Sequence, residues 1–170
     1  MYVCNCGMSC QARHGGGFSE ETTREYLEEA LHALEYALGS EDTPYGSLRA
    51  QYGRKEPFRL KYVEIGNENF GPEYNERYEL FYHALKAAFP QVIYISNGHT
   101  EREKLPTDFA DEHYYDAPEF FLENVDLFDD YDRSGPNIFL GEYAGKRRKY
   151  HRLHGMRPCG SGFSFGRGEE

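Results

Sequence analysis

The stretch KYVEIGNENFGPEYNERY, residues 61–78, sets the frame for the rest of the chain. A short apolar run, Tyr62-Val63-Glu64-Ile65, stops at Gly66-Asn67-Glu68-Asn69, and Gly71-Pro72 then opens a helical pattern. Proline suits the first turn of a helix, where its missing N–H costs no hydrogen bond. The stretch therefore reads as strand, tight turn, helix. An amide and a carboxylate at the end of a buried strand are expensive unless something is meant to satisfy them. Asn67 and Glu68 are thus the first candidates for a site.

Upstream, Tyr2 to Cys6 reads as a buried strand ending at Gly7. Ser19-Glu20-Glu21 supplies an N-cap and first-turn acids, which favour the positive end of a helix. Leu27, Ala30, Leu31, Leu34 and Leu38 then recur at helical spacing until Gly39. A polar connection with Gly46, Gly53 and Pro57 follows, and a second strand is expected from Phe58 to Ile65.

Downstream, Tyr74, Tyr78, Phe81, Tyr82, Leu85 and Phe89 form one helical face, closed by Pro90. Val92-Ile93-Tyr94-Ile95 is a third strand, ending at Ser96-Asn97-Gly98. A short fourth is expected from Asp108 to His113, and a helix from Pro118 to about Tyr131. Asn137-Ile138-Phe139-Leu140 is a fifth strand, ending at Gly141-Glu142-Tyr143.

Strands written as continuous apolar runs and separated by helices imply a parallel sheet in an α/β fold. Two architectures fit, an open doubly wound sheet and a (β/α)8 TIM barrel. No Gly-rich phosphate loop follows any strand, which argues against a dinucleotide site. A barrel also places reactive groups at the C-terminal ends of several different strands. Asn67-Glu68, Asn97, His113 and Glu142 meet that expectation, although an Asn-Gly pair such as Asn97-Gly98 is first of all a turn former.

Composition narrows the partner. The 170 residues suit one core-forming domain. The 15 Tyr and 12 Phe, with no Trp, argue against disorder and suit a cleft that stacks flat amphipathic ligands such as sugars. A net charge of −10 disfavours nucleic acid as a partner. No apolar run is long enough to cross a bilayer, and Met1-Tyr2-Val3 leads straight into Cys4-Asn5-Cys6 without the pattern of a signal peptide. A cytoplasmic location is the corresponding expectation.

Cys4, Cys6 and Cys10 crowd together near His14, with Cys159 far away. Zinc pairs sit two to four residues apart and recur as a second pair, which this chain lacks. Buried strand thiols are the expected reading, with no metal and no cofactor.

Glu68 and Glu142 each follow a strand, with two further strands between them. Across one barrel rim they would face a shared cavity. Two carboxyl groups flanking one bond are the minimal equipment for glycoside hydrolysis, one protonated to donate and one ionised to attack. The bland alternative, a helix cap or an ion pair for each Glu, stands equal on spacing alone. Glu64, inside its strand, reads as structural, and Glu112 sits beside Asp111; either could face the lumen.

The segments KYVEIGNEN, DEHYY and FLGEYA, in this order and spacing, resemble glycoside hydrolase family 51. Members of that family are retaining α-L-arabinofuranosidases with a (β/α)8 barrel and an appended β-sandwich. The resemblance implies Glu68 as general acid/base and Glu142 as nucleophile. It also implies Asn67 as the ligand of the sugar's 2-hydroxyl, and His113 and Tyr115 as the pair that lines the site and orients the nucleophile. It implies an arabinofuranosyl-containing oligo- or polysaccharide as substrate, and homo-oligomers for full-length relatives.

The resemblance runs from about Tyr2 to Ala144 and matches the third to seventh strands of the barrel. The expected organisation is a partial catalytic barrel over residues 1–144 and a basic, Gly-rich tail over 145–170. The tail carries seven Lys/Arg and two Glu, a net +5, which leaves −15 for residues 1–144. It departs from the family's pattern after Gly-Glu-Tyr-Ala, as a reading-frame shift or a disordered arm would. A nucleic-acid-binding arm is the competing role for it. A catalytically inactive fragment is the alternative to an active glycosidase.

Overall fold

Strands β1 (Tyr2–Cys4), β2 (Tyr62–Ile65), β3 (Ile93–Asn97), β4 (Phe109–Asp116) and β5 (Asn137–Gly145) pair in sequence order, and every pair is parallel. In this computed structural model residues 1–11, 16–97 and 105–146 are described. Helices α1 (Glu20–Leu38), α2 (Pro44–Gln51), α3 (Pro72–Ala88) and α4 (Pro118–Glu123) form the connections. This is the α/β arrangement expected of consecutive barrel strands.

Alternation along the strands divides the sheet into two faces. Val63, Ile65 and Tyr94 point to the helical side, where they bury with Ala30 and Leu34 of α1 and with Tyr74, Tyr78, Phe81 and Leu85 of α3. These four α3 residues sit at helical spacing and are fully buried, so the aromatic stripe is core. Cys4 and Cys6 bury there as free thiols. Burial pushes both thiols up to about 12.

Local signals explain the helix ends. The Ser19 hydroxyl accepts from Thr22 N, capping α1. No basic residue lies in the last turn of α1, and Arg49 of α2 fills that role from outside. Its guanidinium is fully buried and donates to Tyr36 O (2.7 Å), Gly39 O (2.8 Å), Lys55 O (2.7 Å) and Arg54 O (3.2 Å). Carbonyls left over at a helix C-terminus are thereby satisfied.

Several boundaries differ from the sequence expectation. Residues 44–51, expected as polar connection, form α2, with Thr43 accepting from Gly46 N and Pro44 opening the helix. The strand expected from Phe58 starts only at Tyr62, because the Phe58 N–H is taken by Ala37 O. β1 ends at Cys4 rather than Cys6, and β3 extends to Asn97. β4 has eight residues and is no short element. α4 stops at Glu123 instead of near Tyr131, since the Asn124 amide folds back onto Phe120 O (2.8 Å) and an Asp-rich run follows. β5 continues through Glu142 to Gly145. The tail expected from 145 keeps Gly145 in β5, and Lys146 N donates to Asp116 O (2.6 Å); residues 147–170 lie outside the described residues.

No helix among the described residues is long and apolar enough to cross a membrane.

Candidate active site

The opposite face of the sheet has no helical cover among the described residues and carries the polar groups. Strand alternation sends Glu64 of β2, Asn97 of β3, and Asp111, His113 and Tyr115 of β4 to this side. β5 contributes Glu142. It lies within the strand, beyond an irregularity, and not past its end as the sequence reading had it.

That irregularity is a β-bulge. Glu112 pairs with Leu140 and His113 pairs with Glu142, so Gly141 is the extra residue on β5. Its N–H turns out of the ladder and donates to Asp111 Oδ1 at 2.8 Å. A Cβ at position 141 would collide with the Asp111 carboxylate, so only glycine fits.

Glu68 arrives by another route. The turn after β2 carries Gly66 at φ +82° and Glu68 itself at φ 51°. A non-glycine residue held in the left-handed region carries strain of order 1 kcal/mol or more. Neighbouring contacts hold it there: Asn67 N donates to Asn69 Oδ1 (3.2 Å), Asn69 N to Asn97 Oδ1 (2.7 Å) and Asn69 Nδ2 to Ser9 O (2.9 Å). Gln11 N donates to Glu68 O (3.3 Å), while the Gln11 amide exchanges hydrogen bonds with the backbone of Phe70.

The two acids converge. His113 Nδ1 stands 3.8 Å from Glu68 Oε1 and 3.8 Å from Glu142 Oε2. One oxygen of each Glu and a His113 nitrogen all lie within 4.8 Å of one another. Behind them His113 Nε2 bonds Asp111 Oδ2 at 2.7 Å, and Asp111 is almost fully buried. The Tyr115 hydroxyl donates to Glu142 Oε2. That bond, before burial and the nearby charges of Glu142 and Glu68, raises the hydroxyl above its ordinary value.

Asn67 is exposed at the rim beside Glu68. The five residues singled out in the sequence therefore cluster at the C-terminal end of the sheet. Asn97 serves the turn, by holding the Asn69 N–H. Glu112 does not face the site; it lies on the helical side, bonded by the Tyr114 hydroxyl (3.2 Å).

Two participants escaped the sequence reading, and a third was read first as structural. Asp111 orients His113, and the spacing Asp111-x-His113-x-Tyr115 on one strand face was the available signal. Cys10, weighed only as a metal ligand or core thiol, donates its S–H to Glu68 Oε2 at 3.0 Å. Glu64, taken as structural, lies on the site face with its carboxyl within 4.8 Å of Asp111 and His113.

Among the described residues, the groups Glu64-Asp111-His113 and Glu68-His113-Glu142 are the two that could hold a metal ion. Both include His113, whose Nε2 is bonded to Asp111 and whose Nδ1 faces Glu68 and Glu142.

The chain is similar to known proteins. Residues 1–133 match the model of the α-L-arabinofuranosidase 1 domain. An extracellular exo-α-L-arabinofuranosidase of Streptomyces chartreusis is 34% identical over 140 residues, 75% of this chain and 17% of the relative. α-L-Arabinofuranosidase 1 of Arabidopsis thaliana is 37% identical over 147 residues, 85% of this chain and 21% of the relative.

Among solved structures, the arabinose-bound MgGH51 α-L-arabinofuranosidase superposes with a TM-score of 0.77 at 31% identity, covering 84% of this chain and 23% of that one. The family 51 enzyme of Thermotoga petrophila gives 0.58 at 27% identity, covering 72% and 33%. The chain thus spans about a fifth of the length of the curated relatives it matches. By motif, sheet order and these likenesses, it belongs to the α-L-arabinofuranosidase 1 domain family of glycoside hydrolase family 51 and carries part of that family's TIM barrel.

Proposed function

We propose that the site performs retaining hydrolysis of terminal α-L-arabinofuranosyl residues on oligo- or polysaccharides, with Glu142 as nucleophile and Glu68 as acid/base. The observation that carries this reading is the approach of one oxygen of each carboxyl group to within 4.8 Å on the same side of the sheet. Retaining glycosidases hold their two carboxyl groups about 5–5.5 Å apart, whereas inverting enzymes leave about 6.5–9.5 Å for a water.

In the first step Glu142 attacks the anomeric carbon and an ester bond forms as the glycosidic C–O bond breaks. Glu68 gives its proton to the departing oxygen. In the second step Glu68 takes a proton from water, the hydroxide adds to the anomeric carbon, and the Glu142 carboxylate leaves. Tyr115 holds the attacking carboxylate by its hydroxyl, and Asn67 stands at the rim where a sugar hydroxyl would be bound.

Purified chain with an aryl α-L-arabinofuranoside is the test. The expected result is release of the aryl alcohol, with the first-formed sugar keeping its anomeric configuration, and loss of release in Glu142→Ala. Release that survives this substitution would take the nucleophile's role from Glu142.

A second reading has its own support. β1 and β5 are both edges of a five-stranded sheet, and the site face is uncovered among the described residues. On this reading the chain is a catalytically silent member of the family, and no release by the wild-type chain is its signature.

A further inference from the structure

The mechanism above uses the outer acids and leaves a deeper pair unexplained. Glu64 of β2 and Asp111 of β4 are each 3% exposed, on the same sheet face and on either side of β3. Their carboxyl oxygens and a His113 nitrogen lie within 4.8 Å of one another.

Asp111 has its donors. Gly141 N–H reaches Oδ1 at 2.8 Å, and His113 Nε2 reaches Oδ2 at 2.7 Å. With the His113 ring proton on Nε2, Asp111 accepts both bonds. Glu64 is less well supplied, with Asn97 as its donor. Its Oε1 is buried without a hydrogen-bond partner, which for an ionised carboxylate is a heavy penalty. A proton on Glu64 removes the problem, because the resulting O–H can donate to Asp111. A metal ion would also neutralise the pair, but it would compete for the His113 nitrogen that Asp111 already holds.

We propose that Glu64 and Asp111 form a proton-sharing acid pair beneath the reacting carboxyl groups, with Glu64 neutral and donating to Asp111. Both are positioning residues. Asp111 then carries one negative charge and anchors His113 through Nε2, which leaves Nδ1 facing Glu68 and Glu142 at 3.8 Å. The inference rests on the reading of those two Glu as the reacting pair, although the shared proton itself does not.

The surroundings agree. Glu64 is met by the Cys4 thiol from β1, which donates to its backbone carbonyl (3.4 Å), and by Asn97 from β3. Asp111 and His113 face it from β4, Glu142 from β5 and the Tyr74 hydroxyl from α3. Burial, followed by the charge of Asp111 and a hydrogen bond with it, pushes the Glu64 carboxyl up to about 9, against an opposing bond from Asn97.

Two measurements on the full chain test this, one of them independent of turnover. In infrared spectra at neutral pH, the wild type should show the carbonyl stretch of a protonated carboxylic acid that Glu64→Gln lacks. That band should disappear as the pH passes through about 9. Identical spectra for the two proteins in this region would overturn the proposal, whether or not the chain turns over a glycoside.

The second measurement follows the aryl arabinofuranoside reaction against pH. Glu64→Gln keeps a donor toward Asp111 and does not titrate, so kcat/KM should stay within about threefold of wild type at neutral pH and lose the decline near pH 9. Glu64→Leu, which offers no donor, should cost about tenfold, the order seen when a partner behind an active-site group is removed. An alkaline limb unchanged in Glu64→Gln would refute the assignment. If the wild type is inactive, the catalytic reading fails while the infrared result still decides the acid pair.

Discussion

The two faces of the sheet obey opposite rules. Toward α1 and α3, Val63, Ile65 and Tyr94 meet aliphatic and aromatic side chains in a closed apolar layer. On the other face, one residue along each strand, stand Glu64, Asn97, Asp111, His113, Tyr115 and Glu142. The same backbone ladder supports both. Period-two alternation lets a strand give stability to one side and chemistry to the other without either set interrupting the other. A substitution should therefore act on stability or on activity according to which face it lies on.

The sharpest break of that rule is Glu142→Ala. Activity on an aryl arabinofuranoside should fall about ten-thousandfold or more, the scale of losing a nucleophile. The thermal midpoint should move by only about 2 °C, since the side chain is 40% exposed. A large drop in the midpoint, measured by calorimetry, would mean that this face also carries the fold.

The converse is Phe81→Ala on the helical face. Phe81 is fully buried, and the cavity should cost about 3–5 kcal/mol in urea unfolding. Turnover per folded molecule should stay constant.

Glu64→Gln sharpens the comparison, because Glu64 is buried on the chemical face. Its carboxyl rises from 4.5 to about 9 on folding, so the folded protein holds a proton that the unfolded chain releases. Stability from this group is full below pH 4.5 and is lost as pH rises toward 9, by up to about 1.4 kcal/mol per pH unit. The glutamine variant should lack this slope in denaturation series across that range. A slope equal to wild type would place the proton elsewhere.

The smallest effect belongs to a helix end remote from both faces. Ser19→Ala removes the oxygen that accepts from Thr22 N and should cost about 1 kcal/mol, with kcat/KM unmoved.

Much of this division is legible in the residues themselves. Ser19 with two following Glu, and Pro72 after Gly71, announce helices that form as read. The α3 stripe lands in the core because its spacing matches the helical period. What escaped was local chemistry overridden by context. Thr43-Pro44 was a helix start hidden among turn formers, and Phe58 looked like strand until its N–H went to Ala37 O.

The site shows the same pattern. Glu68 and Glu142 were visible as acids after glycines, and His113 and Tyr115 came with the family's motif. Asp111 was not, because apolar-run logic treats a strand acid as an exception and ignores which face it takes; Glu64 was visible as an acid that could face the lumen but read first as structural. Cys10 met Glu68 across 58 positions, a pairing that only the folded turn creates.

The bulge at Gly141 carries a consequence for how such a site can be altered. It anchors Asp111 with a main-chain donor, which has no rotamer and no charge state, and replacing the side chains around it leaves that donor in place. Shortening β5 by this one residue would realign the ladder and withdraw the anchor while leaving every acid present. A polar centre of this kind is thus specified partly by the count of peptide units, a quantity that scanning with point substitutions never varies.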